Sequence, residues 1–165
     1  MKNGFTLIEV LVVISILTLL TSVLLLYNRT GEQQILLTQE KTKIMGMILR
    51  AKSLSVATFV SGQPACGYGV HLTDNGYILF KDLADPCPGD RVYTTDDPAE
   101  FMENFVLGPR VRFSALPVRD ILFIPPDPKV LIDGSEIIDQ IKITLMAEDG
   151  GQTALSVTSA GQIGD

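Results

Sequence analysis

The chain has 165 residues, 46% of them apolar and 19% charged, which fits one ordinary domain and excludes disordered and collagen-like chains. The apolar excess lies at one end, because residues 1–27 contain 18 apolar residues and the remainder has the composition of a soluble domain. The net charge of −6 combines +3 over residues 29–57 with −9 over residues 58–165, and this acidic excess disfavours binding to a phosphate backbone.

The first predicted element is an apolar helix from Phe5 to Tyr27. Its 23 residues would span about 34 Å, enough to cross a hydrocarbon core of ~30 Å. A cleavable secretory signal would have a shorter apolar region and small residues before the cut, and this segment has neither. The sequence therefore predicts a retained membrane anchor, and Lys2 before it favours a cytoplasmic N-terminus.

Glu9 is the only charged residue in this helix, and an ionised carboxylate inside a membrane span costs about 2.5–3.5 kcal/mol on insertion scales. One interpretation is that Glu9 lies at the membrane interface or stays protonated. The other is that cleavage after Gly4 creates an amine at Phe5, four residues before Glu9 on the same helical face. A carboxylate near a helix N-terminus is also favoured by the helix dipole.

Residues 29–57 are predicted to continue the helix as an amphipathic segment. Apolar residues at spacings of three, four and seven define one stripe: Leu37, Ile44, Met47, Ile48, Ala51 and Leu54. Glu32, Lys43 and Arg50 lie off the stripe, and no proline occurs before Pro64. One helix can therefore run from the membrane into the domain, with the stripe packed on a β-sheet.

Beyond residue 61 the pattern alternates, which predicts antiparallel strands. In the first hairpin, a three-residue loop with Gly76 in the left-handed region would pair Leu72 with Ile78. The same register would pair Val70 with Phe80, so that all four apolar side chains share one face.

A second hairpin is predicted around a three-residue turn, Asp149-Gly150-Gly151. This turn would pair Leu145 with Leu155, and Ile143 with Val157, whereas a two-residue turn would misalign the faces. Four shorter strands are predicted between the hairpins: Phe105–Leu107, Val111–Ala115, Ile121–Ile124 and Lys129–Ile132. A helix followed by several antiparallel strands indicates an α+β fold.

The two cysteines, Cys66 and Cys87, flank the first hairpin. In the predicted register Cys66 lies across from Ala84, so the two sulfurs could meet at the open end. A disulfide would suit an exported domain, and two buried free thiols are the alternative interpretation.

The segment Asp82–Glu103 is rich in acids. Calcium binding by this segment is conceivable, but its spacing matches no EF-hand, and a solvated acidic loop is favoured. His71, the only histidine, is predicted to be exposed, and no nucleotide, hydrolase or metalloprotease motif occurs. The sequence therefore predicts no enzyme, no metal site and no cofactor.

The N-terminal residues Met1-Lys2-Asn3-Gly4, followed by Phe5-Thr6-Leu7-Ile8-Glu9, resemble the signature of type IV prepilins and type II secretion pseudopilins. The resemblance implies that a prepilin peptidase cuts between Gly4 and Phe5 and that the Phe5 amine is methylated. It also implies that Glu9 pairs with the amine of a neighbouring subunit during assembly. The implied partners are other pilin or pseudopilin subunits, the peptidase and an inner-membrane assembly platform.

The remaining chain is similar to the GspH/FimT family of minor pseudopilins, in residues 50–57, in Gly67–Leu72 with Tyr77–Asp82, and in the C-terminal stretch from Ile141 to Ile163. This resemblance implies a pilin-like fold and a minor subunit of a type II secretion pseudopilus or a type IV pilus. Some members of that family take up DNA through basic residues near the C-terminus. Residues 159–165 of this chain contain no basic residue. A DNA-uptake subunit and an unprocessed membrane-anchored binding domain are the alternatives.

The predicted organisation has four parts, namely a leader at 1–4, a transmembrane and assembly helix at 5–28, a continuing helix at 29–60 and an antiparallel β domain at 61–165. The expected location is the bacterial inner membrane, crossed once through Phe5–Tyr27. The head would then be extracytoplasmic.

Overall fold

A single helix, α1, runs from Leu7 to Ser61. The computed structural model describes residues 6–61, 65–84, 86–125, 129–136 and 139–164, without the side chains of 26–30 and 59–61. The 55 residues of α1 contain no proline, so nothing interrupts the backbone hydrogen bonds between the apolar segment and the amphipathic one. The long N-terminal helix is therefore present as predicted.

Ten strands follow α1 in the described residues and form two antiparallel sheets. They are β1 (Ala65–Thr73), β2 (Gly76–Leu83), β3 (Phe101–Val106), β4 (Val111–Ala115), β5 (Asp120–Ile124), β6 (Lys129–Ile132), β7 (Ser135–Glu136), β8 (Gln140–Ala147), β9 (Gln152–Thr158) and β10 (Ile163–Gly164). The first sheet has the order β3-β2-β1-β5-β6-β7, and the second has the order β10-β9-β8-β4. The α+β pilin-like fold is confirmed, with the strands divided between two sheets.

The hydrophobic core lies between α1 and the two sheets. Five of the six residues in the predicted helix stripe are buried, and Leu54 is half-buried against the same core. Ile44 and Ile48 are fully buried, and burial of such a side chain contributes about 1.5–3 kcal/mol. The helix is therefore held on the head by its apolar face.

The predicted register of the first hairpin is wrong by one residue. Leu72 pairs with Tyr77, and Phe80 pairs with Gly69. Gly76 does not adopt a positive φ, and the turn contains only two residues between Thr73 and Gly76. A side chain at position 76 would collide with the backbone of β3, so glycine is required there for close approach to the next strand.

In the second hairpin the side chains lie on the predicted faces, but the residues that pair across the two strands differ from the prediction. Ile143 pairs with Leu155, and Leu145 pairs with Thr153, a shift of two residues from the prediction. The turn instead closes with a hydrogen bond from the Ala147 N–H to the Gly151 carbonyl, at 2.9 Å. A shift of two residues leaves every side chain on its own face, so the apolar residues remain buried.

The outer face of the first sheet carries a smaller apolar cluster of Phe80, Leu122 and Leu131. Tyr93, from the acidic segment between β2 and β3, packs against this cluster and places its ring 5.5 Å from that of Phe80. The segment is thus not simply a solvated loop, as the sequence suggested, because it covers one face of the sheet.

Candidate functional site in the N-terminal helix

Helix α1 begins with a side-chain cap. Thr6 precedes the first helical residue, and its Oγ1 accepts a hydrogen bond from the Glu9 N–H at 3.3 Å. The Thr6 carbonyl also accepts from the Glu9 N–H, at 3.1 Å. Thr-x-x-Glu is the spacing of a capping box, in which threonine supplies the cap and glutamate lies in the first turn. This local role of Thr6 can be recognised in the sequence, but our sequence analysis missed it.

The apolar part of α1 from Leu7 to Leu25 is long and hydrophobic enough to cross a membrane. Its 19 residues span about 28 Å, and none of them is buried against the head. Large apolar side chains are exposed throughout the segment, from Leu7 to Leu25. Such a surface requires lipid or other apolar helices around it.

The hydroxyl groups in this segment are satisfied within the helix itself. Ser15 donates to the Leu11 carbonyl at 2.8 Å, and Thr21 donates to the Leu17 carbonyl at 2.6 Å. Thr18 and Ser22 each donate to the carbonyl three residues earlier. Because these polar groups need no external partner, they do not oppose insertion into lipid.

The Glu9 carboxylate differs from these hydroxyls. It is exposed, and it has no hydrogen-bond or ion-pair partner among the residues that the structure describes. The predicted cleavage residues Gly4 and Phe5 lie outside the described residues, so their placement beside Glu9 stays a prediction. The Glu9 carboxylate is thus an acceptor in the first turn that can bind a donor from another molecule.

The second half of α1 has an exposed face opposite its buried one. Positions 35, 42, 49 and 56 repeat every seven residues and define what we call the outer stripe, Ile35, Thr42, Leu49 and Val56. The apolar members of the stripe are 60%, 50% and 42% exposed in that order. Gly46 lies on the same side of the helix with open space beside it. This face can therefore accept a neighbouring helix at close distance.

Polar contacts fix the helix on the head and so orient the outer stripe. Arg50 donates two hydrogen bonds to Glu103 in β3, at 2.9 and 2.6 Å. These bonds hold the pKa of the Glu103 carboxyl below its ordinary value. Lys52 donates to the Gly161 carbonyl at 2.9 Å, which ties the helix to the turn before β10.

Cys66 and Cys87 are joined in a disulfide, with their Cα atoms 5.5 Å apart. The bridge ties β1 to the segment after β2, close to the Ala84 carbonyl that the sequence placed opposite Cys66. It anchors the start of the acidic segment to the first sheet.

His71 is not the exposed residue that the sequence predicts. Its Nδ1 lies 2.9 Å from Asp120 Oδ1, and its ring lies 5.0 Å from that of Tyr93. The His71 side chain is only 17% exposed, and the Tyr93 ring of the acidic segment lies against it. The sequence could not show this cover, because Tyr93 lies 22 residues further along the chain in a region without strand periodicity.

A long apolar helix with one carboxylate in its first turn, continued into an antiparallel two-sheet head, is consistent with an α+β pilin-like fold. The prokaryotic N-terminal methylation motif matches residues 1–25, and this match places the chain in the type IV pilin and pseudopilin group. No curated protein and no solved structure matches the chain. The motif implies processing by a prepilin peptidase and assembly with other pilin subunits, and the group is structural rather than catalytic.

Proposed function

We propose that this chain is a minor pilin or pseudopilin of the GspH/FimT type, a structural subunit of a type II secretion pseudopilus or a type IV pilus. A prepilin peptidase removes residues 1–4 after Gly4, and the new Phe5 amine is methylated. Residues 5–28 then hold the subunit in the membrane and later lie in the filament core. Residues 29–60 carry the head, residues 61–165, outside that core.

The observation that carries this proposal is the Glu9 carboxylate, which has no partner among the described residues although the apolar span around it satisfies its hydroxyl groups internally. A carboxylate in such a segment needs a donor to offset its desolvation. In a filament that donor is the Phe5 amine of a neighbouring subunit. The pairing would set the axial register between the two helices.

The outer stripe supports the same assembly. In a pilin filament the helices bundle at the centre, so each helix needs one face for its own head and another for its neighbours. The buried stripe and the outer stripe occupy opposite sides of α1. The exposed apolar segment Leu7–Leu25 would be covered by lipid before assembly and by other helices after it.

The proposed location is the bacterial inner membrane, with the N-terminus in the cytoplasm and the head outside. Lys2 on the N-terminal side of the span supports this orientation. The Cys66–Cys87 disulfide supports it as well, because disulfides persist in oxidising compartments.

The experiment that tests the proposal compares Glu9→Val with Ser15→Val in the full chain, expressed in cells that assemble the filament. Both substitutions replace a polar residue of the anchor by valine, but Ser15 satisfies its own hydroxyl within the helix. We expect both variants in the membrane fraction, and only Glu9→Val to be reduced at least about tenfold in sheared filaments. Normal incorporation of Glu9→Val, or an equal loss with Ser15→Val, would contradict the proposal.

The alternatives make different predictions. DNA uptake is not favoured, because the head has a net charge of −9 and residues 159–165 contain no lysine or arginine. Salt-dependent binding of DNA to the purified full chain would support that alternative. An unprocessed membrane-anchored binding domain would retain Met1 in the mature protein.

A further inference from the structure

Three carboxylates converge at the edge of the head beside the disulfide. Asp82 lies in β2, Asp90 follows Cys87 in the acidic segment, and Glu100 immediately precedes β3. One oxygen from each carboxylate lies within 4.8 Å of the other two. Asp82 and Glu100 are only 1% and 3% exposed, so solvent screens their mutual repulsion poorly.

One oxygen of this cluster lacks a partner. The Oδ1 atom of Asp82 is buried and accepts no hydrogen bond from any described residue. The backbone of Gly89 lies against the same carboxylate, and any side chain at position 89 would collide with it. The position beside the Asp82 oxygen is thus closed to a side chain. A buried carboxylate oxygen without a donor carries a desolvation penalty that a bound cation would remove.

The other two carboxylates are held in place by the surrounding backbone. Glu100 Oε2 accepts from the Thr94 N–H at 2.9 Å. Asp90 Oδ1 accepts from the Val92 N–H at 3.2 Å, and Asp90 Oδ2 accepts from the Thr94 hydroxyl at 2.7 Å. The segment that carries them is fixed by the disulfide at one end and by the packing of Tyr93 in the middle. The oxygens are therefore preorganised before any ligand arrives.

We propose that Asp82, Asp90 and Glu100 form a binding site for a divalent cation of the Ca²⁺ class. The donor set consists of carboxylate oxygens without imidazole or thiolate, which suits a hard cation and does not suit zinc or copper. Water molecules complete the coordination on the side of Asp90, which is exposed. The ion neutralises the cluster and pins the acidic segment over the outer face of the first sheet.

The carboxylates of the cluster repel one another. Burial raises the pKa of Asp82, and neighbouring Asp90 raises it further. Burial also raises the pKa of Glu100. Arg91 lowers the pKa of Asp82, but the pKa remains above its ordinary value.

The test uses the full chain in detergent micelles, treated with EDTA and then titrated with CaCl2 at constant ionic strength. Thermal unfolding is monitored by circular dichroism, and stoichiometry by isothermal titration calorimetry. We expect one Ca²⁺ per chain and a rise in Tm of about 5 °C at saturation, because a ligand that binds only the folded state stabilises it. Absence of bound Ca²⁺ in the wild-type protein would overturn the proposal.

Variants distinguish the site from general screening of an acidic protein. Asp90→Asn should abolish the Ca²⁺-dependent shift, whereas Asp96→Asn, an exposed acid of the same segment outside the cluster, should retain it. In EDTA, Asp90→Asn should melt within about 2 °C of wild type or above it, because the substitution removes a like charge. The amide oxygen can still accept from the Val92 N–H, and the amide nitrogen can donate to the Thr94 hydroxyl oxygen. If Asp90→Asn melts more than about 2 °C below wild type in EDTA, Glu100→Gln is used as the cluster variant in the Ca²⁺ titration instead. A full Ca²⁺ response in the folded cluster variant, or its loss in Asp96→Asn, would overturn the proposal.

Discussion

The Ser55 hydroxyl in α1 donates a buried hydrogen bond to the Phe123 carbonyl in β5, at 2.9 Å. Ser55 and Phe123 are both fully buried. This bond fixes one turn of the helix against the centre of the first sheet. It therefore couples α1 directly to the β-sheet head.

Removal of this hydrogen bond should destabilise the head. Ser55→Ala leaves a buried carbonyl with one partner fewer, and we expect the free energy of unfolding to fall by about 1–3 kcal/mol. Ser53→Ala is the matched control, because Ser53 is exposed on the other side of the same helix. Thermal unfolding of both variants in micelles checks the prediction, and equal Tm values for the two would contradict it.

Reduction of the disulfide should also lower stability. The Cys66–Cys87 bridge closes a loop with a sequence separation of 21, for which the entropic model gives about 3 kcal/mol. We expect the double variant Cys66→Ala/Cys87→Ala to melt several degrees lower than wild type. Dithiothreitol should lower the Tm of the wild-type protein and leave the Tm of the double variant unchanged. A similar decrease in both proteins would argue against the disulfide as the cause.

The outer stripe should be required for assembly but not for folding. Leu49→Lys places a charge on the exposed face of α1, and we expect an unchanged Tm with incorporation into filaments reduced at least about tenfold. Val106→Lys is the control, because Val106 is a still more exposed apolar residue, located on the head. The interpretation of the stripe fails if both variants assemble equally well.

Alkaline pH should destabilise the protein through Tyr77. Burial raises the pKa of this phenol above its ordinary value, and the nearby Glu40 raises it further. A raised folded-state pKa means that the stability contribution is complete below about pH 10 and is lost as the pH rises further. Tyr77→Phe should show a smaller loss of stability between about pH 9 and 11, measured by urea unfolding. An unchanged slope in that variant would contradict the assignment.

The long helix and its buried face followed from the sequence because helical periodicity is a local property. Leu37, Ile44 and Ile48 identify that face without any knowledge of the rest of the fold. The strands β4 and β6 also have the predicted bounds. Sheet alternation shows which residues form a strand, and the flanking turns limit its length.

The pairing of the strands depended on information that is not local. Gly76 indicated a left-handed turn, whereas the structure requires glycine there because β3 approaches from the far side. The acid cluster has the same cause, since Asp82 and Glu100 are 18 residues apart and meet only after the segment folds over the sheet. Glu9, by contrast, was identifiable at once, because a charge in an apolar run needs no tertiary context to be unusual.

Processing at Gly4 is the central claim of the proposed function, and the mass of the mature N-terminal segment tests it most directly. The full chain, purified from the membrane of cells that carry a prepilin peptidase, is analysed by intact-mass and N-terminal peptide spectrometry. We expect residues 1–4 to be absent and Phe5 to carry one methyl group on its amine. A Gly4→Val variant from the same cells should retain all four residues. Retention of Met1 in the wild-type protein would contradict the account.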